Sequence, residues 1–217
     1  MRVVTELAEY YRERAAEYDA VYAKPERQED LARLHGLLPP LVAGQRVLEV
    51  AAGTGYWTRV LSGSAAAITA TDLNAGTLDL ARAREYGGAA VTFRLADAYA
   101  LDQVPGEFDT AFVGFFWSHV LRGDLPRFVA GLRARMGPGA RLIVLDNRYV
   151  PGSNHPVSRT TAAGDTYQCR TLNDGRSFEI LKNFPDRAQF TADVAGVADD
   201  VRWTQLDYYW LATCELR

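Results

Sequence analysis

The chain has 217 residues, of which 48% are hydrophobic and 24% charged, with a formal net charge of −3. These values are typical of one globular domain with a sizeable core, and they exclude a largely disordered chain and a basic field that would attract nucleic acid. Cys169 and Cys214 form no C-x-x-C pair, and the sequence shows neither a signal peptide nor an 18-residue apolar run. We therefore expect a cytoplasmic protein, monomeric or homodimeric, with no nucleic-acid or membrane partner.

Two helices are predicted at the start of the chain. Residues 5–22 place apolar and tyrosine side chains at steps of three and four, typical of an amphipathic helix with an aromatic stripe. Those tyrosines would either pack in the core or cover a bound ligand. A second helix is predicted over residues 26–38, where Pro39 and Pro40 should stop it. Arg27 at its start could pair with a carboxylate, but an exposed position is the favoured interpretation.

A glycine-rich turn follows the first predicted strand. The apolar residues 47–50, interrupted only by a glutamate, run into Gly53 and Gly55, which open the next helix. Glycine allows a sharp turn and a close approach to a ligand, and the free N–H groups of the new helix favour electron-rich atoms. Thr58 stands where the dinucleotide pattern G-x-G-x-x-G requires its third glycine, and no P-loop pattern occurs.

Strands and helices then alternate as far as residue 146. Further strands are predicted over residues 67–72, 91–95, from 108, and 141–146, with helices over 75–86 and 124–136. This alternation predicts a doubly wound, mostly parallel α/β sheet. Three acids, Glu49, Asp72 and Asp97, belong to the ends of successive strands, where such sheets bind ligands.

The pattern Glu49-x-Ala51-x-Gly53-Thr54-Gly55 resembles motif I of the class I S-adenosylmethionine (SAM)-dependent methyltransferases, which often have glycine where this chain has Ala51. The resemblance implies a seven-stranded Rossmann-like methyltransferase fold, SAM as cofactor, and O- or N-methylation of a small molecule, in keeping with secondary metabolism. It implies that Glu49 serves the amino acid end of SAM, Asp72 the ribose and Asp97 the adenine amino group. The predicted cofactor-binding residues are Tyr11, Tyr18, Glu49, Ala51, Gly53, Gly55, Trp57, Asp72, Leu73, Asp97, Ala98 and Phe115.

The acceptor is expected to bind beyond the fourth and fifth strands. His119 is the predicted catalytic base, because an imidazole can take a proton from an acceptor O–H or N–H; the alternative is a helix cap or a bond to a backbone carbonyl. A long polar loop and a β-hairpin inserted after strand 5 are interpreted as the acceptor-recognition insert. The predicted substrate-binding residues are Tyr22, Trp117, Ser118, His119, Arg148, Asn154, Tyr167, Arg170 and Tyr208, with His155 also available.

The chain is interpreted as one domain in four parts. They are an N-terminal helical cap (1–40), the cofactor-binding core (41–146), the acceptor loop and hairpin (147–186), and a C-terminal helix with antiparallel strands that close the sheet (187–217). A non-catalytic SAM-binding protein, an NAD-dependent oxidoreductase and a protein- or RNA-directed methyltransferase stay open as alternatives. No metal site is predicted, although Asp146 and Asn147 leave a metal-dependent, catechol-type variant open.

Overall fold

The computed structural model describes residues 9–217, apart from the side chains of residues 15–18. Its strands are β1 Arg46–Val50, β2 Ala67–Asp72, β3 Ala90–Leu95, β4 Phe108–Gly114, β5 Met136–Asn147, β6 Arg159–Thr160, β7 Thr166–Thr171, β8 Ser177–Leu181, β9 Ala198–Gln205 and β10 Tyr209–Leu216. Seven of them form one sheet in the order β3-β2-β1-β4-β5-β10-β9. Neighbours from β3 to β5 are parallel, whereas β10 is antiparallel to both β5 and β9. The predicted mostly parallel α/β fold is confirmed.

Helices cover both faces of this sheet. They are residues 9–14 (α1), Gln28–Val42 (α2), Tyr56–Ser62 (α3), Ala75–Arg82 (α4), Leu125–Arg135 (α5) and Arg187–Asp193 (α6), with a 3-10 helix at Ala15–Ala23 after α1. The N-terminal part of the described chain is therefore helical, as predicted. No helix in the described part of the chain is long and apolar enough to span a bilayer.

Strand β5 shows how the core is divided between the two faces. Leu142 and Val144 belong to the apolar cluster with α5 and α6, whereas Ile143 and Leu145 belong to the cluster with α2 and α3. All four side chains are fully buried. Successive side chains of a strand point to opposite faces, so a nearly continuous apolar run is what a strand covered on both sides requires.

Helix α2 continues through Pro39 and Pro40 to Val42, so the predicted stop at the prolines is wrong. Leu34, Leu38 and Val42 recur at steps of four and are fully buried. The burial of this continuous apolar stripe offsets the hydrogen bonds that the prolines cannot donate. The other boundary differences are small: α4 ends at Arg82, α6 ends at Asp193, and β5 begins at Met136.

The predicted hairpin is present as β7 and β8, and with β6 it forms a separate antiparallel sheet. Its turn contains Gly175 at φ +89°, a conformation that glycine adopts readily. The end of β8 returns to the main sheet, where the Asn183 N–H donates to the Ser118 carbonyl at 2.8 Å. This bond places the hairpin beside the segment that follows β4.

Candidate active site

The turn between β1 and α3 has the left-handed conformations that glycine permits. Gly53 lies at φ +58° and Gly55 at φ +79°, and Ala51 also has a positive φ of 54°. A Cβ on Gly55 would lie 2.4 Å from the Tyr86 Oη and 3.1 Å from the Ala81 Cβ, so a larger residue would displace these neighbours as well as strain the backbone. Around Gly53, in contrast, a Cβ would meet nothing within 4 Å, which leaves open space over the backbone. The turn thus offers a cradle that a ligand can approach closely.

Asp72 fixes this turn to the end of β2. Its Oδ2 accepts from the Gly53 N–H at 3.0 Å, and its Oδ1 accepts from the Asn74 N–H at 2.9 Å. Burial raises the pKa of Asp72 above its ordinary value, an effect that these backbone bonds oppose. Asp97 follows β3 in an exposed position, and its Oδ1 accepts from the Tyr99 N–H at 2.9 Å.

A cavity of about 140 Å³ opens at the carboxyl ends of β1, β2 and β4, and we call it the first cavity. Glu49 lies in its wall with 2% of its surface exposed, and its buried Oε2 has no hydrogen-bond partner among the described residues. Burial raises the pKa of Glu49 to about 8, and the neighbouring charge of Asp72 adds to the shift. An unsatisfied buried acceptor beside an open glycine cradle is a place that a polar ligand with hydrogen-bond donors fits.

Most residues of the predicted cofactor set line the first cavity: Tyr11, Glu49, Ala51, Gly53, Trp57, Asp72, Leu73, Asp97, Ala98 and Phe115. Gly55 lies behind the wall, as the residue before α3, and the Tyr18 side chain is outside the described residues. Further residues that sequence reasoning missed also line the cavity, among them Asn74, Thr77, Tyr99 and Asp124. Asn74, Thr77 and Tyr99 each follow a predicted strand within a few positions, and that proximity is the signal that could have found them.

His119 follows β4 and has a defined tautomer. Its Nδ1 lies 2.6 Å from the Leu181 carbonyl oxygen, and its Nε2 lies 2.8 Å from the Tyr11 Oη. Because a carbonyl can only accept, Nδ1 carries the proton, and Nε2 accepts from the Tyr11 hydroxyl. Burial and the nearby charge of Lys182 hold the pKa of His119 well below its ordinary value. The imidazole is therefore neutral at pH 7, with its basic nitrogen at the cavity wall.

A buried ion pair lies behind His119. Lys182 Nζ donates to Asp146 Oδ1 at 3.0 Å and to Ser118 Oγ at 2.6 Å, and the Ser118 N–H donates to Asp146 Oδ2 at 2.9 Å. Burial lowers the pKa of Lys182, while the charge of Lys182 holds the pKa of Asp146 below its ordinary value in spite of burial. Sequence reasoning did not single out Lys182, although a lysine that ends an apolar strand is an available signal. Ser118 is engaged by this pair and lies in the wall of neither cavity.

A second cavity of about 100 Å³ adjoins the first and shares Tyr11, Tyr22 and Phe115 with it. Its other lining residues are Arg14, Val21, Lys24, Arg27, Asn147, Ser153, Asn154, His155, Gln168, Arg170, Lys182 and Tyr209. The predicted substrate residues Asn154 and Arg170 are thus brought together with Tyr22, and His119 lies in the wall of the first cavity.

Arg27 is only 5% exposed, so the interpretation of an exposed side chain is wrong. Its guanidinium donates to Ser153 Oγ at 2.9 Å and to Asn147 Oδ1 at 3.2 Å. It also lies over the rings of Tyr208 and Tyr209, at 5.6 and 5.5 Å from their centroids. These contacts hold Arg27 in a buried position, which its neighbours in the sequence did not indicate.

Besides Ser118, four other predicted substrate residues line neither cavity: Trp117, Arg148, Tyr167 and Tyr208. Trp117 is 1% exposed and packs in the aromatic core, and Arg148 donates to two backbone carbonyls in the β9–β10 turn. Tyr167 lies under the Arg159 guanidinium, 3.9 Å from its ring centroid. Arg148 and Tyr167 therefore contact partners within the fold and neither cavity. No cluster of three or more His, Cys, Asp or Glu able to hold a metal occurs in the described part of the chain.

Comparison with known proteins agrees with this geometry. A family model described as a methyltransferase domain matches residues 47–139. A solved structure described as a DhpI–SAH complex is 31% identical, with a TM-score of 0.77 over 99% of this chain and 97% of the other. A second, described as a DhpI–SAM–HEP complex, is 30% identical, with a TM-score of 0.79 over 98% and 97%.

Curated relatives match over a shorter stretch. A demethylmenaquinone methyltransferase from Clavibacter sepedonicus is 34% identical over 107 residues, which are 48% of this chain and 42% of that relative. The match thus spans less than half the length of that relative. The sheet order, the acid-lined glycine turn and these similarities together define the class. The chain belongs to the class I SAM-dependent methyltransferases, and its cofactor is SAM.

Proposed function

We propose that this enzyme transfers the methyl group of SAM to an oxygen or nitrogen of a small-molecule acceptor, held where the two cavities meet, and that His119 accepts the acceptor's proton. The observation that best supports this proposal is the tautomer of His119. Its Nδ1–H is committed to the Leu181 carbonyl, so the Nε2 lone pair is the atom presented to Tyr11 and the first cavity. A fixed acceptor of this kind is what general-base assistance needs.

The residues around the first cavity suit the two ends of SAM. Glu49 offers an unpaired carboxyl oxygen for the amino acid end, and Asp72 and Asp97 offer carboxylates for the ribose and the adenine amino group. The cradle at Gly53 leaves room beside the backbone. When bound, SAM supplies a methyl group that is already activated on a sulfonium. The protein's own task is therefore to align the acceptor and take up its proton.

His119 is suited to that task at neutral pH. Its lowered pKa keeps Nε2 unprotonated, and the same shift favours release of the proton after transfer. In the structure the Tyr11 hydroxyl donates to Nε2. In the proposed complex the O–H or N–H of the acceptor takes this place. The bond from Nδ1 to the hairpin keeps the ring orientation fixed while Nε2 changes partner.

A small acceptor is supported by the size of the site and by the relatives. The two cavities measure about 140 and 100 Å³ and are bounded by aromatic rings from the N-terminal segment and the loop after β4. A groove for a polymer would be longer and open along the surface. Two curated relatives that match about half of this chain are called demethylmenaquinone methyltransferases, a name that refers to a small acceptor. We propose a small acceptor for this chain as well.

The test measures formation of SAH from SAM with a panel of small molecules that carry a hydroxyl or an amine, some with an anionic group and some without. In His119→Asn the side-chain amide can still donate to the Leu181 carbonyl, but the basic Nε2 is gone. We expect unchanged SAH affinity and turnover slower by about 10²–10⁴-fold. His35→Asn is the matched control, because His35 lies on α2 and contacts neither cavity. Full turnover by His119→Asn would refute the base role.

A further inference from the structure

The second cavity concentrates positive charge. Among the described residues, no Asp or Glu lines this cavity. Five basic side chains do: Arg14, Lys24, Arg27, Arg170 and Lys182. The chain as a whole carries a formal charge of −3, so this concentration is local. A small cavity lined by one sign of charge focuses the electrostatic field and attracts the opposite charge.

Among the residues that the structure describes, two carboxylates form ion pairs with these cations. Asp146 is occupied by Lys182 at 3.0 Å, and Glu26 lies 4.0 Å from Lys24 with 38% of its side chain exposed. The described acceptors of the Arg27 guanidinium are neutral oxygens of Ser153 and Asn147. None of these described acceptors carries a negative charge that would offset the charge of this guanidinium, which is 5% exposed at the cavity wall.

The titratable neighbours respond to this positive field. Burial lowers the pKa of Lys24, and the charge of Arg27 lowers it further. Burial also lowers the pKa of His155, and the charges of Arg170 and Arg14 act in the same direction. A bound anion would reverse these unfavourable interactions among cations, so its binding is favoured by charge as well as by hydrogen bonds.

We infer that the second cavity binds an oxyanion of the acceptor, a carboxylate or a phosphoryl group. This inference rests on the proposed function and specifies its substrate class: a small molecule with an anionic group in the second cavity and its methylated atom near His119. The shared rings of Tyr11, Tyr22 and Phe115 join the two cavities, so one small molecule can reach from one into the other. The cavity volume of about 100 Å³ fits such a group and not a nucleic-acid backbone.

The experiment titrates inorganic phosphate or acetate into the SAH-loaded protein by calorimetry, at constant ionic strength maintained with chloride. SAH fills the first cavity, so the anion is offered to the second. We expect saturable binding of at least one of the two anions. Arg27→Met and Arg170→Met should each weaken it by about tenfold or more, because each removes a charged donor and keeps an apolar stem. Arg59→Met is the control, because Arg59 is exposed on α3 and should leave anion binding unchanged.

The two anions distinguish the two sources of the charge. Binding of phosphate alone supports a phosphoryl acceptor, binding of acetate alone supports a carboxylate acceptor, and binding of both supports either class. Absence of saturable binding, or equal affinity in the parent, Arg27→Met and Arg170→Met, would overturn the inference. Each variant's affinity for SAH reports whether it is folded. Because SAH affinity and the effect of His119→Asn are measured without phosphate or acetate, failure here leaves the proposed function standing.

Discussion

Replacement of Glu49 by glutamine is expected to stabilise the cofactor-free protein and to weaken cofactor binding. Burial raises the pKa of Glu49 to about 8 from an ordinary value of 4.5. Between these two values the folded chain holds a proton that the unfolded chain has released. The stability of the parent therefore falls as the pH rises through this window. Glutamine has nearly the same shape and never ionises, so the substitution removes this loss of stability with rising pH.

The size of this stability difference follows from the pH range between the ordinary pKa of glutamate, 4.5, and pH 7. At pH 7 the solution is roughly 2.5 pH units above the ordinary pKa of glutamate, and each unit costs the parent about 1.4 kcal/mol of stability. The cofactor-free variant, which does not have this cost, should therefore be more stable than the parent by about 3 kcal/mol at pH 7. For a chain of this size the melting temperature should rise by roughly 6–12 °C. Near pH 4.5 the two proteins should melt together. SAM affinity should fall in Glu49→Gln, and in the parent it should rise with pH as the carboxyl ionises near pH 8.

The assay is thermal or urea unfolding of parent and variant from pH 5 to pH 8, with titration of SAM into each. Glu85→Gln is the matched control at an exposed position, with an expected change within about 0.5 kcal/mol. A Glu49→Gln protein less stable than the parent at pH 7, or a stability difference that does not change with pH, would contradict a raised pKa of Glu49.

Three further changes test separate parts of the structure. Asp72→Ala should lower SAH affinity by about tenfold or more in calorimetry, because Gly53 loses an acceptor and the cofactor ribose loses the acceptor proposed for it; unchanged affinity would mean that the end of β2 does not bind the cofactor. Gly55→Ala should cost about 2–4 kcal/mol in urea unfolding, since its Cβ would lie 2.4 Å from the Tyr86 Oη at φ +79°; a neutral effect would contradict this geometry. Turnover should be independent of pH through neutrality and fall only on the acid side of 6.5, the ordinary pKa of histidine, because the pKa of His119 is lowered; a fall centred at or above 6.5 would argue against a neutral base.

The glycine turn and its acids could be predicted because each rests on local pattern. The run from β1 into Gly53 and Gly55 is continuous in sequence, and parallel strands bring their carboxyl ends to one edge of the sheet. Asp72 could therefore be placed beside the turn before its bond to Gly53 was known.

The second cavity could not be predicted in the same way. Its charged side chains come from the N-terminal segment and from the hairpin and its exit, and only tertiary packing brings them together. Lys182 meets Ser118 across 64 positions of sequence and Asp146 across 36. The helix end predicted at Pro39 and Pro40 was wrong for a related reason. The low helix propensity of proline is outweighed by the burial of the last turn of α2, which depends on tertiary packing.

Thermal unfolding of the protein with SAM, SAH or NAD tests most directly whether the chain binds SAM as its cofactor. At a ligand excess of about 100 times Kd, binding to the folded state adds about 2.7 kcal/mol, a rise of roughly 5–10 °C for a domain of this size. We expect this rise with SAM and SAH, its absence with NAD, and a smaller rise with both adenosyl ligands in Asp72→Ala. A rise with NAD alone, or no rise with either adenosyl ligand, would contradict the assignment of the first cavity to SAM.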